Sequence, residues 1–494
     1  MQLGLKAKDV RAESLRVLVA IASYGTSNDR FLERIIREYR SMSFDIDIVV
    51  LSNIYKSAPG VECLVGLPAK NPWSLPFGHK KLFVDRRDDY DLFIYSEDDI
   101  LIAEPSLRAW LEVTTSLEED EIAGFLRVEF GGDGARSYPD VHGHFHWTPL
   151  SVRRRGDYTL AHFTNEHAAC YVLSRTQLKK VLESGGFDVA PHEGRYDLLC
   201  TAATDPYTQC GLTKLIPVSH LDLFTVHHMS NRYVGKMGVT AEEFSHQTNA
   251  LLHIAGNGSQ AKPLLPTETR LWRGAYSKDY YEPVDEQVTA RIPKTARNIL
   301  SIGCAAGATE RWIAKDRGLH VVAIPLDPII AGGAEADGVE MIYDEIACVV
   351  SRCNERFDCV LCLNVLHLAP RPQQLLSLSH ALMDPNATLI VQTPNMMSLR
   401  ALWRRFRNGS RLPLLNDYKS TGMHFSSART IRNWCAEVGF RVDKAFGIAT
   451  DPKEGRDLMT SGIGGYLPAS LSLPLAASII VEATRVEQGA CHAA

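Results

Sequence analysis

Along the chain, short unbroken apolar runs alternate with longer stretches in which apolar positions return every three or four residues. In the first half the runs predict buried strands at Val17–Ala22, Ile46–Leu51, Leu92–Tyr95 and Ala168–Leu173. The longer period predicts helices over Asp29–Ser41, Pro105–Leu117 and Arg175–Ser184. The pattern then starts afresh. Strands are expected at Asn298–Ile302, His320–Ile324, Val339–Ile342, Cys359–Leu363 and Thr388–Thr393, with helices that include Pro372–Met383 and Ala428–Val438.

Each half opens with a strand that runs into a glycine turn, RVLVAIASYG at 16–25 and RNILSIGCAAG at 297–307. Between them lies the polar, Gly/Pro-bearing stretch AGNGSQAKPLLPTETR at 255–270, which reads as a linker. A strand, a turn, a helix and a further apolar strand make a βαβ unit, so two such starts predict an α/β chain with two Rossmann-like open sheets in series. The expected domains are 1–254 and 276–494, joined by a linker at 255–275.

Composition narrows the partners. A length of 494 residues exceeds what one core usually serves, and 45% hydrophobic with 22% charged residues is ordinary for a globular chain. A formal net charge of −5 gives no general attraction to nucleic acid or anionic lipid, leaving small molecules or neutral glycans as partners. The 11 cysteines follow no disulfide framework, which suits a reducing compartment. Cys359 and Cys362 form a CxxC pair, but on a strand that spacing faces opposite sides, so both read as core residues. The N-terminus has no signal-like apolar region, and LPASLSLPLAASIIVEA is interrupted by Pro468 and Pro474 and too short to span a bilayer. The expectation is a soluble, cytoplasmic protein.

In the second half, Gly303-Cys304-Ala305-Ala306-Gly307 leaves a strand and enters a helix, where small residues let a ligand approach the backbone and the helix offers unpaired N–H groups. It is followed in order by HVVAIPLDP, VEMIYDE, FDCVLCLNVLHLAPRP, NATLIVQTPN and HFSSARTIRNWCAEVGFRV. This series resembles the class I S-adenosylmethionine-dependent methyltransferases. The resemblance implies a seven-stranded Rossmann-like sheet with a reversed final strand and the methyl donor lying across the strand ends. By the same resemblance Gly303, Ala305 and Gly307 form the donor loop, Asp344 meets the adenine, and Asn364 and His367 border the methionine and acceptor ends. Three positions depart from the family pattern. Ser301 stands where an acid is usual, Ala305 replaces the middle glycine, and Pro325 stands where a carboxylate usually holds the ribose, with Asp327 two residues on as its substitute. His367 and His424 are the candidate bases for an oxygen acceptor, against the plainer reading of two loop histidines. The segment LRALWRRFRNGSRL, with Arg400, Arg404, Arg405, Arg407 and Arg411, reads as a solvated basic face, an acceptor-phosphate cradle or a peripheral membrane contact.

In the first half, DLFIYSEDDILI places Glu97, Asp98 and Asp99 directly after an apolar strand. Carboxylates there serve a hard cation or simply cap a turn. With Ser23 and Tyr24 after the first strand, Asn53 after the second, GHKKLFVDRRDDYD before the acidic triplet and NEHAACYVLSR beyond it, the half resembles GT-A-type glycosyltransferases that use nucleotide sugars. That resemblance implies a metal, Mn²⁺ or Mg²⁺, on Asp99, with Glu97 facing the ribose or the metal and His227 or His228 as an added ligand. Lys80 or Lys81 would neutralise diphosphate. The motif reads EDD and not D-x-D, so the division of roles stays open. For an inverting transfer Glu193 is the preferred base, with Asp205 and Glu166 as alternatives. His142, His144 and His146 alternate as ligands on a strand would, but their glycine and proline neighbours favour a loop.

Together these features predict a bifunctional transferase acting on a glycan or glycosylated small molecule, with S-adenosylmethionine and a nucleotide sugar as donors. The alternatives are a glycosyltransferase with a degenerate methyltransferase-like module, and a methyltransferase with an acceptor-binding first domain. Nucleic acid is not an expected partner.

Overall fold

The computed structural model describes residues 15–257, 264–265, 276–343, 348, 355–408, 418–448, 474 and 476–486, without the side chains of 257 and 404–408. The chain divides into two compact units, Met1–Ser259 and Gln260–Ala494. Both are mixed α/β.

In the first unit the strands are β1 (Arg16–Ser23), β2 (Asp45–Ser52), β3 (Glu62–Val65), β4 (Leu92–Glu97), β5 (Ile100–Leu101), β6 (Glu121–Ala123) and β7 (Leu126–Phe130). They continue as β8 (Arg136–Tyr138), β9 (Trp147–Arg155), β10 (Tyr158–Phe163), β11 (Cys170–Ser174), β12 (Thr213–Pro217), β13 (Thr225–His228) and β14 (Val239–Thr240). The main sheet has the order β11-β4-β1-β2-β3. Its strands β3, β2, β1 and β4 are parallel and β11 is antiparallel. An apolar run without polar interruption is what a strand covered on both faces requires, and Val17 to Ile21 are fully buried. The helix Asp29–Ser41 sets Leu32, Ile35, Ile36 and Tyr39 against that core on one stripe. Two smaller sheets follow, β6-β12-β10-β9 and β14-β8-β7-β13-β5. In the second of these, His228 pairs with Ile100, which brings β13 beside the residues just after β4.

The second unit is one seven-stranded sheet of β15 (Asn298–Cys304), β16 (His320–Pro325), β17 (Glu340–Met341), β18 (Phe357–Leu363), β19 (Met383–Pro394), β20 (Phe440–Ile448) and β21 (Ser478–Arg485). Its order is β17-β16-β15-β18-β19-β21-β20. All neighbours are parallel except β21, which runs antiparallel to both β19 and β20. The order reverses beside β15, between β16 and β18, so the turns at the ends of β15 and β18 open on the crevice where such sheets bind ligands.

The His142–His146 segment is a turn, with Gly143 at φ +63°, so its histidines do not line a strand face. No helix among the described residues is long and apolar enough to cross a membrane.

Candidate active site

At the end of β15 the backbone turns sharply. Gly303 and Gly307 have φ of +83° and +73°, in the left-handed region that side chains disfavour. A Cβ on Gly303 would lie 2.7 Å from Val365 Cβ, and one on Gly307 would lie 2.6 Å from Ala334 Cβ. Both glycines are therefore fixed by their own packing, before any ligand is considered. Between them Ala305 and Ala306 are buried, and no bulky side chain belongs to the turn. Gly307 then leads into the helix Ala308–Asp316.

The segment from Tyr276 to Asp285, which carries no recognisable motif, crosses the ends of three strands. Its Tyr280 carbonyl accepts from Ala306 N at 2.9 Å, and Lys278 Nζ donates to the Leu363 carbonyl at 2.9 Å and to Glu282 at 2.8 Å. Glu282 accepts from Asn364 Nδ2 at 3.0 Å, and Asp285 from Gln392 Nε2 at 2.5 Å. The available signal was its density of charged and aromatic residues, SKDYYEPVDE, a short way before a buried strand.

The residues expected at the donor site are found as follows. Gly303, Ala305 and Gly307 share the β15 turn, and Asn364, itself at φ +54°, lies at the end of the neighbouring β18. Its Nδ2 also donates to Gln392 Oε1 at 3.2 Å. Asp327 does not present its carboxylate outward. Oδ1 accepts from Ile329 N at 2.8 Å and Ile330 N at 3.0 Å, and burial pushes the group up to about 6, with those two bonds partly opposing the rise. Asp344 lies outside the described residues. The departure at Ser301 has a counterpart: its Oγ donates to Glu310 Oε1 at 2.6 Å, so a buried carboxylate reaches this position from the following helix. The turn is thus backed by a buried carboxylate. At the ribose end, Pro325 closes β16 and the nearby Asp327 is spent on its own backbone.

His367 and His424 are brought together, the His424 N–H donating to the His367 carbonyl at 2.7 Å. The His367 ring is fully buried with Nε2 at 2.8 Å from the Tyr276 carbonyl. His424 is half-buried and stacked on Tyr418 at 4.7 Å, and burial holds it below the ordinary imidazole range. Beyond β19 a cavity of about 690 Å³ is lined by Asn395, Met397, Phe425, Ser427, Trp434 and Ile479 among others. Of the arginine-rich segment, the helix Leu399–Asn408 is present, with Leu399 and Trp403 exposed; the Arg404, Arg405 and Arg407 side chains and Arg411 lie outside the described residues.

In the first unit, Ser23 Oγ donates to Asp98 Oδ2 at 2.6 Å, Asn28 Nδ2 donates to Asp98 Oδ1 at 2.7 Å, and Asn53 accepts from Gly25 N at 2.7 Å. Tyr24 is exposed beside them. These atoms gather where β1, β2 and β4 end. His228 Nε2 lies 3.0 Å from Asp99 Oδ2, and Nδ1 lies 2.6 Å from Glu129 Oε1. Burial favours the neutral form of Asp99, but hydrogen bonds from His228 and Ser230 outweigh it and hold the carboxyl below its usual range. Glu97 moves the other way, up to about 8, because it is desolvated and faces the Asp99 charge. Its Oε1 is buried without a hydrogen-bond partner.

Other expected residues are placed elsewhere. Lys80 is not a surface cation. It is buried in an ion pair with Asp205 Oδ2, with Nζ 4.4 Å from the centre of the Phe77 ring, so it does not stand free for a diphosphate, while Asp205 Oδ1 lies 3.5 Å from His192 Nε2. Lys81 is exposed and pairs with Asp85. Glu193 sits exposed in its loop, whereas Glu166 contacts Arg195 at 3.3 Å. The expected metal centre is not assembled. Among the described residues no group of three or more His, Cys, Asp or Glu is arranged to hold a metal, and both ring nitrogens of His228 are engaged by carboxylates. A divalent cation bound through Asp99 Oδ2 would displace its His228 contact.

Against this geometry stand the comparisons with known proteins. Residues 276–445 match a family described as a methyltransferase domain. Among curated proteins, the ubiquinone biosynthesis O-methyltransferase of Xylella fastidiosa is 22% identical over 194 residues, which cover 38% of this chain and 78% of that protein. The enzyme of the same name from Methylococcus capsulatus is 25% identical over 206 residues, covering 38% and 82%. Among solved structures, a SAM-dependent methyltransferase from Archaeoglobus fulgidus is 17% identical and covers 40% of this chain and 90% of its own, with a TM-score of 0.29. An S-adenosylmethionine-dependent methyltransferase from Mesorhizobium loti is 19% identical, with coverages of 40% and 96% and a TM-score of 0.28. The segment that matches the methyltransferase-domain family, residues 276–445, thus lies in the second unit and supplies most of its seven-stranded sheet.

Proposed function

We propose that the second unit transfers the methyl group of S-adenosylmethionine to an oxygen of a small-molecule acceptor. The observation that carries this reading is the Gly303–Gly307 turn, at the end of β15 inside the methyltransferase-domain segment. Bound donor supplies an electrophilic methyl carbon on a sulfonium. The acceptor oxygen attacks that carbon in line, the sulfur–carbon electron pair returns to sulfur, and the acceptor's proton leaves to a base. Such a displacement depends chiefly on positioning. The chain's own contributions are the turn, Asn364 and the Lys278–Glu282 pair at the donor end, with His424, which burial biases toward its neutral form, as the base near the acceptor side. The two O-methyltransferase relatives favour an oxygen acceptor. Calorimetry of the full chain with S-adenosylmethionine tests the reading. Binding in the micromolar range is expected, and absence of both heat and thermal stabilisation at millimolar donor would leave only a non-catalytic module.

A second reading concerns the first unit: sugar transfer from a nucleotide sugar to a glycan or small molecule. Its support is the gathering of Ser23, Asn53, Asp98, Asp99 and His228 at the ends of the main strands. Nucleotide-sugar turnover with and without Mn²⁺ or Mg²⁺, in the native chain and in Asp99→Asn, tests it. Turnover lost in Asp99→Asn supports it, and no turnover with any nucleotide sugar removes it.

A further inference from the structure

We propose that Glu310 is a positioning residue of the donor site, a buried carboxylate beneath the glycine turn that biases binding toward the sulfonium donor over its neutral product. This rests on the methyl-transfer reading above and extends it to a residue with no expected role. Glu310 lies in the first turn of the helix Ala308–Asp316, where an acidic side chain ordinarily faces solvent near the helix N-terminus. Here it is 5% exposed and turns inward to Ser301, with Oε1 accepting the Ser301 hydroxyl at 2.6 Å. Its second oxygen lies on the turn side, 3.8 Å from where a Gly307 Cβ would stand.

The surroundings support a role in charge. Burial pulls Lys278 down, but its bond to Glu282 and the nearby charges of Glu282 and Glu310 together outweigh that and hold it above the ordinary lysine range. Lys278 is paired with Glu282 and Arg311 with Asp337, whereas among the described residues Glu310 has no cation of its own. S-adenosylmethionine carries a sulfonium and an ammonium against one carboxylate, whereas S-adenosylhomocysteine has lost the sulfonium charge. A fixed negative charge in a poorly solvated site discriminates between these two, and one such charge is worth on the order of tenfold in affinity. Product release then gains from the same group that helps donor binding. A carboxylate needed only as a strut for the turn would not distinguish the two ligands.

The test is calorimetry on the full chain with three ligands: S-adenosylmethionine, S-adenosylhomocysteine and methylthioadenosine, which has neither sulfonium nor amino acid. In Glu310→Gln, which keeps shape and the acceptor for Ser301, S-adenosylmethionine should bind about tenfold more weakly, S-adenosylhomocysteine about twofold, and methylthioadenosine unchanged. Equal losses on all three, or no loss on any, overturn the proposal. The exchange variant Ser301→Asp with Glu310→Ser restores a carboxylate from the strand side. It should keep the native preference for donor over product within about twofold; loss of that preference also overturns the idea. A native chain that binds none of the three would instead remove the methyl-transfer reading itself.

Discussion

Lys80 and Asp205 show what a single side chain can hide. They are 125 positions apart, and nothing local to either announces the other. A lysine in GHKKLFVD reads as exposed because most lysines are, yet the neighbouring helix turn carries Lys80 inward onto Phe77. Lys80→Met leaves Asp205 buried without its cation and should destabilise the first unit by about 3–5 kcal/mol in urea unfolding, while Lys80→Met with Asp205→Leu should recover most of that loss. Asp327 gives a pH signature of the opposite kind to an ion-paired acid. Its folded-state pKa lies near 6, above the ordinary 3.8, so between those values the native state holds more protons than the unfolded one. Stability therefore falls as pH rises from about 4 to 6 and stays lower above that. Asp327→Asn, whose side-chain oxygen still accepts from Ile329 and Ile330, should gain up to about 2–3 kcal/mol at pH 7 and nothing at pH 4 in chemical unfolding.

At the scale of elements, the parallel strands were legible because burial on both faces demands unbroken apolar runs, as in β1, β15 and β18. The hairpin β9–β10 was not. WTPLSVRRR mixes Pro149 and three arginines into a strand only partly covered, so neither period stands out. β19 begins at Met383, before the apolar core of its run, and DPNA forms an irregularity in the pairing with β18, with Asn386 at φ +63°. The glycine turn after β15 was visible as a motif, but its reason was not: Val365 and Ala334, distant in sequence, occupy the space a side chain would need. Gly303→Ala should cost the second unit more than about 2 kcal/mol, combining left-handed backbone strain with the overlap on Val365. Gly318→Ala, also at positive φ but facing open space, should cost only about 1 kcal/mol. Thermal unfolding of the two variants side by side checks the difference.

For the molecule as a whole, the two strand-to-glycine starts made a pair of open sheets readable, whereas the polar contacts that complete each candidate site join residues far apart in the chain. The Asp99–His228 contact depends on β13 pairing with β5, and the Ser301–Glu310 contact on the angle at which a helix leaves its turn. Spacing along a sequence carries neither. The stretch from Tyr276 to Asp285 has a practical consequence. A fragment cut to begin at Arg297 would contain every strand of the second sheet, yet it would strip the Leu363 carbonyl of Lys278, Asn364 of Glu282 and the Ala306 amide of its acceptor. Whoever transplants this unit into another protein must carry the clasp along with the sheet it fastens.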